Sequence, residues 1–381
     1  MHAIARGGIT ATALALLVAG CGSSSDSTGT AAAGDPHTAV VTVTADKCLT
    51  DRTSYDAGAV DFKITNRDAT AVSEVEVVLD ERILAEKENL PPGFSGTFSV
   101  NLQPGTYQLY CPGAATERVP LVITGTATSQ AVTDTTQLLQ EGTKTYGQYV
   151  DQQVAGSLEA VTALDAAIKS GDVDKSKVAY AKARPFYERI EPVAESFAGL
   201  DPKIDARADD VPVTQLTGFH RIEYGLWTKK STDGLEKYSA QLVTDTKELQ
   251  TKATGLTYQP AELANGAVGL LDEVSKSKVT GEEERYSHID LVDFFANVEG
   301  SQQAFANLKP GLNTIDPALT DTISKAFQAN LDLLDDYRTT DNPYGWKLYG
   351  DLSKTDVKKL ADSVQAIAEP LSRVASKVVD A

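Results

Sequence analysis

Hydrophobic positions recur at two different spacings along the chain, and the spacing changes near residue 125. Before that point, β-branched and aromatic residues alternate with polar ones at a period of two, which is typical of strands with one buried face. Turn sequences separate six runs of this kind, at 39–45, 60–66, 73–80, 96–102, 105–111 and 119–125. The pattern predicts an all-β sandwich over residues 36–125.

After residue 125 the hydrophobic positions follow a period of 3.6, which is typical of amphipathic helices. Breaks that contain Gly and Pro divide this part into eight predicted helices, near 129–169, 174–198, 212–228, 235–254, 260–279, 287–308, 317–337 and 355–380. We therefore predict an all-α helical bundle over residues 126–381, arranged as two packed four-helix units.

The first residues predict an export signal and a lipid anchor. Arg6 precedes an apolar run from Ile9 to Ala19, which is too short to span a bilayer and fits the core of a signal peptide. Small residues directly before Cys21 resemble a bacterial lipobox, in which the cysteine is lipidated and becomes the new N-terminus. We expect residues 1–20 to be a lipoprotein signal peptide and residues 21–35 a flexible tether. An ordinary secretory peptide with a stray cysteine is the alternative.

The composition limits which binding partners and metal ligands are possible. The 381 residues include 35 Lys and Arg against 53 Asp and Glu, and a net charge of −18 would repel a phosphate backbone, so nucleic-acid binding is excluded. Only four His, three Cys and one Met are present. A metal site must therefore consist mostly of carboxylates, which favours hard cations, iron or zinc over copper(I).

The end of the β segment resembles a cupredoxin. The segment 102–113 carries a Pro-Gly turn that leads through a strand to Cys111, where a cupredoxin places its cysteine ligand. A type 1 copper site also needs two His and usually a Met, and the loop after Cys111, residues 112–120, contains neither. The resemblance thus implies a cupredoxin-like fold without type 1 copper.

Two roles remain open for the cysteines of this segment. Cys48 and Cys111 can form a structural disulfide, as is common outside the cytoplasm. Alternatively, both can belong to a metal site together with a nearby carboxylate, for which Glu74 is the best candidate.

Acidic residues and one histidine recur at helical spacing in the second part. His220 and Glu223 are three residues apart, so both project from the same face of a helix and can hold one metal ion. Glu188 and Glu191 repeat this spacing, although a solvated acidic face would explain them equally well. Asp293 lies between Val292 and Phe294 in mid-helix, where an acid is costly unless it is paired or bound to metal.

Four segments together, 184–197, 200–210, 218–227 and 281–297, resemble the imelysin family, whose hallmark is the Gly-x-His-x-x-Glu helix. By this resemblance His220 and Glu223 match the metal motif, and Glu188, Glu191 and Asp293 lie in matching segments. Cys48, Glu74 and Cys111 match the candidate metal residues of the front domain. With a cupredoxin-like domain in front, the arrangement implies the extracytoplasmic component of a bacterial iron-uptake system.

The resemblance implies an iron-binding protein rather than an enzyme. It would hold Fe²⁺ or Fe³⁺, with Cu²⁺ or Zn²⁺ as possible substitutes, and would work with a membrane iron permease and a secreted haem peroxidase. We expect it to be anchored by lipid to the outer face of the cytoplasmic membrane. The alternative is a zinc peptidase, but that chemistry needs His-Glu-x-x-His, and here Arg221 follows His220 and Tyr224 replaces the second His.

Overall fold

The structure is a computed structural model that describes residues 35–80, 82–126, 133–194, 196–197, 199–208 and 211–379. The predicted signal peptide, Cys21 and residues 22–34 of the tether lie outside the described residues. The described residues belong to one compact unit with two hydrophobic cores, one in the β part and one in the helical part.

The first part is a sandwich of two sheets, which confirms the predicted fold. Its described strands are β1 (Thr38–Val43), β2 (Cys48–Thr50), β3 (Tyr55–Asp56), β4 (Gly58–Asn66), β5 (Val75–Leu79), β6 (Arg82–Lys87), β7 (Ser95–Leu102), β8 (Gly105–Tyr110) and β9 (Arg118–Thr124). One sheet has the order β2-β1-β4-β7 and the other β3-β9-β8-β5-β6. Apart from the parallel pairs β1–β4 and β3–β9, neighbouring strands are antiparallel. Side chains from both sheets fill the core between them.

A disulfide between Cys48 and Cys111 ties the two sheets together. Cys48 begins β2 in the first sheet, and Cys111 directly follows β8 in the second. Both residues are buried. Of the two roles left open for these cysteines, the structure thus shows the structural disulfide, and both sulfur atoms are used in the bond. Glu74 lies just before β5 and is partly exposed.

The second part is helical, as predicted. Its described α-helices are α1 (Asp134–Lys169), α2 (Val173–Glu188), α3 (Glu191–Ala194), α4 (Asp201–Asp205), α5 (Gly218–Glu223), α6 (Glu236–Ala253), α7 (Pro260–Lys276), α8 (Asp290–Ile315), α9 (Pro317–Asp335), α10 (Lys354–Leu371) and α11 (Ala375–Val378). A π-helical turn, Tyr224–Lys229, continues α5, and short 3₁₀ turns lie at Lys278–Thr280 and Tyr349–Asp351. None of the helices in the described ranges is long and apolar enough to cross a membrane.

Helix α1 is central to the bundle, since it packs against α2, α6 and α8. Helix α10 packs against α7 and α9. The predicted helix 174–198 ends earlier than expected, at Glu188. The side-chain amide of Asn297 donates to the carbonyl oxygen of Glu188 at 3.2 Å, and the chain turns before the short α3. This turn directs Glu191, the acidic residue of α3, towards the interior.

The β part packs on α7 through β6 and β7. Asn265 on α7 donates through its side-chain amide to the carbonyl oxygen of Ser99 on β7 at 2.8 Å. An ion pair joins Arg82 on β6 to Glu262 on α7, with 2.5 Å between Nη2 and Oε1. These contacts fix the β part against one side of the helical part.

Candidate metal centre

The local structure at the start of α5 places its polar residues next to α4. Gly218 has φ = +55°, and a Cβ atom there would lie 1.9 Å from the carbonyl oxygen of Ile204. Only glycine tolerates both the left-handed backbone and this close approach. The hydroxyl of Thr217 also donates to the carbonyl oxygen of Lys203 at 2.9 Å. As a result, His220 on α5 faces Asp205 at the end of α4.

His220 is buried and presents its two ring nitrogens to different groups. Nδ1 lies 3.1 Å from Oε2 of Glu223. Because a carboxylate can only accept, this contact places a proton on Nδ1. Nε2 has no hydrogen-bond partner among the described residues. It lies 3.4 Å from Oδ1 of Asp205 and 3.6 Å from Oε1 of Glu283. His220, Asp205 and Glu283 together can each offer one ligand atom to a single metal ion.

Glu223 lies beside the group of His220, Asp205 and Glu283 and is not a member of it. Its Oε1 accepts the backbone N–H groups of Tyr286 and Ser287, each at 2.7 Å, while Oε2 faces His220. Both oxygens are therefore used in contacts that orient the imidazole. The predicted pair of His220 and Glu223 does share one helix face, but the two side chains contact each other.

A fully buried arginine, Arg184 on α2, gathers the neighbouring acids. It forms ion pairs with five carboxyl groups, those of Glu188, Asp205, Glu283, Glu284 and Asp293. Three of these acids, Glu188, Glu283 and Asp293, form a second group whose oxygens lie close enough together to hold one ion. Glu283 belongs to both groups, so the two candidate positions adjoin.

Lys278, in the 3₁₀ turn after α7, closes the other side of the cluster. Its Nζ lies 2.6 Å from Oε1 of Glu191 and 3.4 Å from the carboxyl oxygens of both Glu188 and Glu283. Asn297 on α8 donates to Glu191 at 2.6 Å and to Glu188 at 2.9 Å. Glu191 is thus held by a lysine and an amide, and it is in neither of the two groups.

The cluster contains more acidic than basic side chains. Two buried cations, Arg184 and Lys278, and the partly buried Arg207 face seven buried carboxyl groups, those of Glu188, Glu191, Asp205, Glu223, Glu283, Glu284 and Asp293. Burial and neighbouring carboxylates raise the pKa of Glu191 and of Glu284 well above the ordinary range. A further cation bound in the cluster would lower these raised pKa values and would be balanced by the acids that then ionise.

The surroundings of Glu283 and His220 favour the charged forms of both side chains. Burial opposes ionisation of Glu283, but Lys278 and Arg207 hold its pKa well below the usual range. Burial also lowers the pKa of His220, but the carboxylates of Asp205, Glu223 and Glu283 outweigh it and place that pKa well above the ordinary value. The same negative potential that stabilises an imidazolium would stabilise a metal ion beside Nε2.

Among the predicted site residues of the helical part, the structure brings His220, Glu223, Glu188, Glu191 and Asp293 into one buried network. Asp205 and Glu283, whose oxygens lie nearest to Nε2 in the first group, were not among the predicted ligands. Both lie in segments that carry the family resemblance, and that was the only signal for them in the sequence. Cys48, Cys111 and Glu74, the predicted site residues of the β part, lie outside this network.

Comparison with known proteins agrees with this architecture. A family model described as imelysin matches residues 142–374, and a model of a cupredoxin-like domain matches residues 10–118. A protein of Escherichia coli (strain K12) named iron uptake system component EfeO is 38% identical over 347 residues, covering 90% of this chain and 92% of the relative. EfeO of Shigella flexneri matches equally, and EfeO of Escherichia coli O1:K1 is 39% identical over 339 residues, 88% of this chain and 89% of the relative.

Proposed function

Because the chain belongs to the imelysin family, in its EfeO group with a cupredoxin-like domain in front, we propose that it binds iron outside the cytoplasm and passes it to a membrane iron permease. The iron is cargo, taken up as Fe²⁺ or Fe³⁺ and released again. A secreted haem peroxidase of the same uptake system is the proposed second partner.

The observation that carries this proposal is the buried Nε2 of His220. It has no hydrogen-bond partner among the described residues and lies between Asp205 and Glu283. An imidazole nitrogen whose proton is replaced by the metal, together with two ionised carboxylates, is a donor set that fits Fe²⁺ and Fe³⁺, and it also accepts Zn²⁺ or Cu²⁺. We assign His220, Asp205 and Glu283 as the first ligands, with Glu188 and Asp293 at the adjoining position.

The remaining predictions complete the proposal. Lipidation of Cys21 would hold the protein at the outer face of the cytoplasmic membrane, where the tether raises its effective concentration near the permease. The division at residue 125 stays a prediction. We propose no peptidase activity, because His220 is the single imidazole in the candidate metal groups of the described residues, and a zincin needs two.

Titration of the metal-free protein with Fe²⁺ under argon, and with chelated Fe³⁺ in air, tests the assignment. We expect one tight ion at the His220 position and a loss of affinity greater than about 100-fold in His220→Ala, because altering outer partners alone costs about 10- to 100-fold. Asp205→Asn and Glu283→Gln should also weaken binding. His37→Ala removes an exposed histidine of the β part and serves as the control. Unchanged binding in His220→Ala would rule the site out.

A further inference from the structure

Arg184 on α2 lies where the two candidate ion positions adjoin. Its Nη1 donates to Oδ1 of Asp205, and its Nη2 donates to Oε1 of Glu283 at 2.9 Å. These two atoms are also the oxygens that lie 3.4 Å and 3.6 Å from Nε2 of His220. A carboxylate oxygen has two lone pairs, so it can contact a guanidinium and a metal ion at the same time. Arg184 therefore shares both carboxylate ligands with the proposed iron.

The adjoining position consists of acids that Arg184 also holds. Glu188, Glu283 and Asp293 can each offer one oxygen to a single ion. Arg184 forms ion pairs with all three, through Nη2 to Glu188 and Glu283 and through Nε to Oδ2 of Asp293 at 3.1 Å. Oδ1 of Asp293 is buried and has no hydrogen-bond partner among the described residues. The guanidinium thus supplies the positive charge that an ion would supply at this position.

The side chain of Arg184 is fixed in the cluster. It is fully buried, and a guanidinium stays protonated in proteins. Its Cζ lies 5.0 Å from the centroid of the Phe219 ring on α5, directly before His220. Its acid partners include Asp205 on α4 and Asp293 on α8. Because these contacts come from several elements, the guanidinium cannot leave without breaking most of them.

An iron ion at the adjoining position would lie beside this fixed charge. Like charges a few ångströms apart repel each other, and the repulsion is stronger where water is excluded. The His220 position has a ring nitrogen as a further ligand, whereas all three acids of the adjoining position are paired with Arg184. We therefore expect iron at the first position and the guanidinium at the second.

We propose that Arg184 is the resident cation of the adjoining position and thereby limits the cluster to one tightly bound iron ion. Its charge takes the place of a second ion, and its N–H groups orient Asp205 and Glu283 for the first. Glu188 and Asp293 become ligands of tightly bound iron only when this charge is absent. The inference rests on the proposed function, since it takes iron at His220 as the cargo.

The number of iron ions per chain tests this role. The full chain, free of metal, is incubated with Fe²⁺ under argon, weakly bound iron is removed by gel filtration, and the remaining iron is counted by elemental analysis. We expect one ion per chain in the wild type and two in Arg184→Gln. Arg184→Lys keeps a buried positive charge and should retain one ion.

Two further variants locate the second ion. Arg184→Gln combined with Asp293→Asn removes a ligand of the adjoining position and should return the count to one. Arg207→Gln removes an equal charge from an arginine that pairs with Glu273 and Glu283, and it should also bind one ion. An effect of net charge alone would instead raise the count in Arg207→Gln as well.

Thermal melting decides the case in which Arg184→Gln is unstable. Removal of Arg184 leaves buried carboxylates without their counter-charge, which destabilises the metal-free protein. If a second ion replaces that charge, Fe²⁺ should raise the melting temperature of Arg184→Gln more than that of the wild type. A variant that stays unfolded at every Fe²⁺ concentration would contradict the proposal, because iron would then not take the place of the guanidinium.

The outcomes separate this inference from the proposed function. A single ion in Arg184→Gln, or a second ion in Arg184→Lys, Arg207→Gln or the double variant, would overturn the role of Arg184 even where His220→Ala loses its iron. Unchanged iron binding in His220→Ala would overturn the proposed function itself, whatever the count in Arg184→Gln.

Discussion

His220 shows how one side chain is prepared for its role by its neighbour. Glu223 uses one oxygen to accept two backbone N–H groups and the other to hold Nδ1 of the imidazole. The ring is thereby oriented with Nε2 towards Asp205 and Glu283. An acid that fixes the tautomer and direction of a ligating histidine strengthens the metal site without touching the ion.

Replacement of Glu223 should therefore weaken iron binding without removing the site. We expect Glu223→Gln to lower the affinity about 10- to 100-fold, the range for an outer partner, while one ion per chain still binds. Calorimetric titration beside His220→Ala measures both effects. If Glu223→Gln loses as much affinity as His220→Ala, then Glu223 is itself a ligand, as the spacing of the two residues first suggested.

Glu76 on β5 makes a pH-dependent contribution in the β part. It is 3% exposed, its Oε2 has no partner among the described residues, and burial together with the Glu74 carboxylate raises its pKa from 4.5 to about 8. Between these values the folded protein holds a proton that the unfolded chain releases. The free energy of unfolding therefore falls as pH rises from about 4.5 to 8.

Glu76→Gln should remove this dependence. We expect the variant and the wild type to have equal denaturant midpoints near pH 4.5, and the variant to be more stable at pH 8 by on the order of 3 kcal/mol. Urea unfolding across this range measures the difference. Asp56→Asn, at an exposed position of β3, is the control. A constant difference at every pH would show that Glu76 does not titrate in this range.

The sequence predicted the residues of α5 well but not their partners. A spacing of three places His220 and Glu223 on one helix face wherever that helix lies. Asp205 and Glu283 are 15 and 63 residues from His220 along the chain (220 − 205 and 283 − 220), and only tertiary packing brings them to Nε2. Local pattern carries no information about such distances, so only the family resemblance of the segments that contain them pointed to these two acids.

At the scale of elements, the site depends on how closely α5 approaches α4. Gly218→Ala would place a methyl group 1.9 Å from the carbonyl oxygen of Ile204 and would force a non-glycine residue into φ = +55°. We expect a loss of at least about 2 kcal/mol in stability. Because α5 must shift, iron affinity should fall as well. Chemical denaturation and iron titration measure the two effects.

Gly350→Ala provides the comparison for this variant. No atom lies within 4 Å of a Cβ built at Gly350, and its backbone is not left-handed. We expect it to behave as the wild type in both measurements. A stable Gly218→Ala protein with unchanged iron affinity would show that the contact between α4 and α5 does not position His220.

Element types were predictable, whereas breaks were not. The 3.6-residue period identified the long helices because each buries one face along its whole length, as α1 does. The same period continues through residues 189–198, and the one local signal of a break is Pro192, which has no N–H to donate to the carbonyl oxygen of Glu188 four residues earlier. That turn is stabilised by Asn297 from α8, which donates to the carbonyl oxygen of Glu188. A cap that comes from another element cannot be deduced from the capped segment.

For the molecule as a whole, polar contacts join two parts that each have their own core. Arg82 is the central contact, because it pairs with Glu262 and also lies over the ring of Tyr258, 5.3 Å from its centroid. Glu262 is 7% exposed, and burial raises its pKa even with the arginine present. The way in which the two parts pack together was not predictable from either hydrophobic pattern, because each pattern accounts only for the core of its own part.

Arg82→Ala should destabilise the contact between the parts. It leaves the carboxylate of Glu262 buried without its counter-charge, which costs about 3 kcal/mol. A second change, Glu262→Gln, should recover most of that loss, because a neutral amide needs no counter-ion and still accepts the backbone N–H of Gln259. Denaturant midpoints of the two single variants and the double variant measure the coupling.

The exposed pair of Lys325 and Asp321 on α9 separates this effect from the loss of any ion pair. Lys325→Ala should cost less than about 0.5 kcal/mol, because both side chains are solvated. If Arg82→Ala costs no more than Lys325→Ala, the interface is held by its apolar contacts alone. If the cost is large and Glu262→Gln restores stability, the buried charge pair is what aligns the β part with α7.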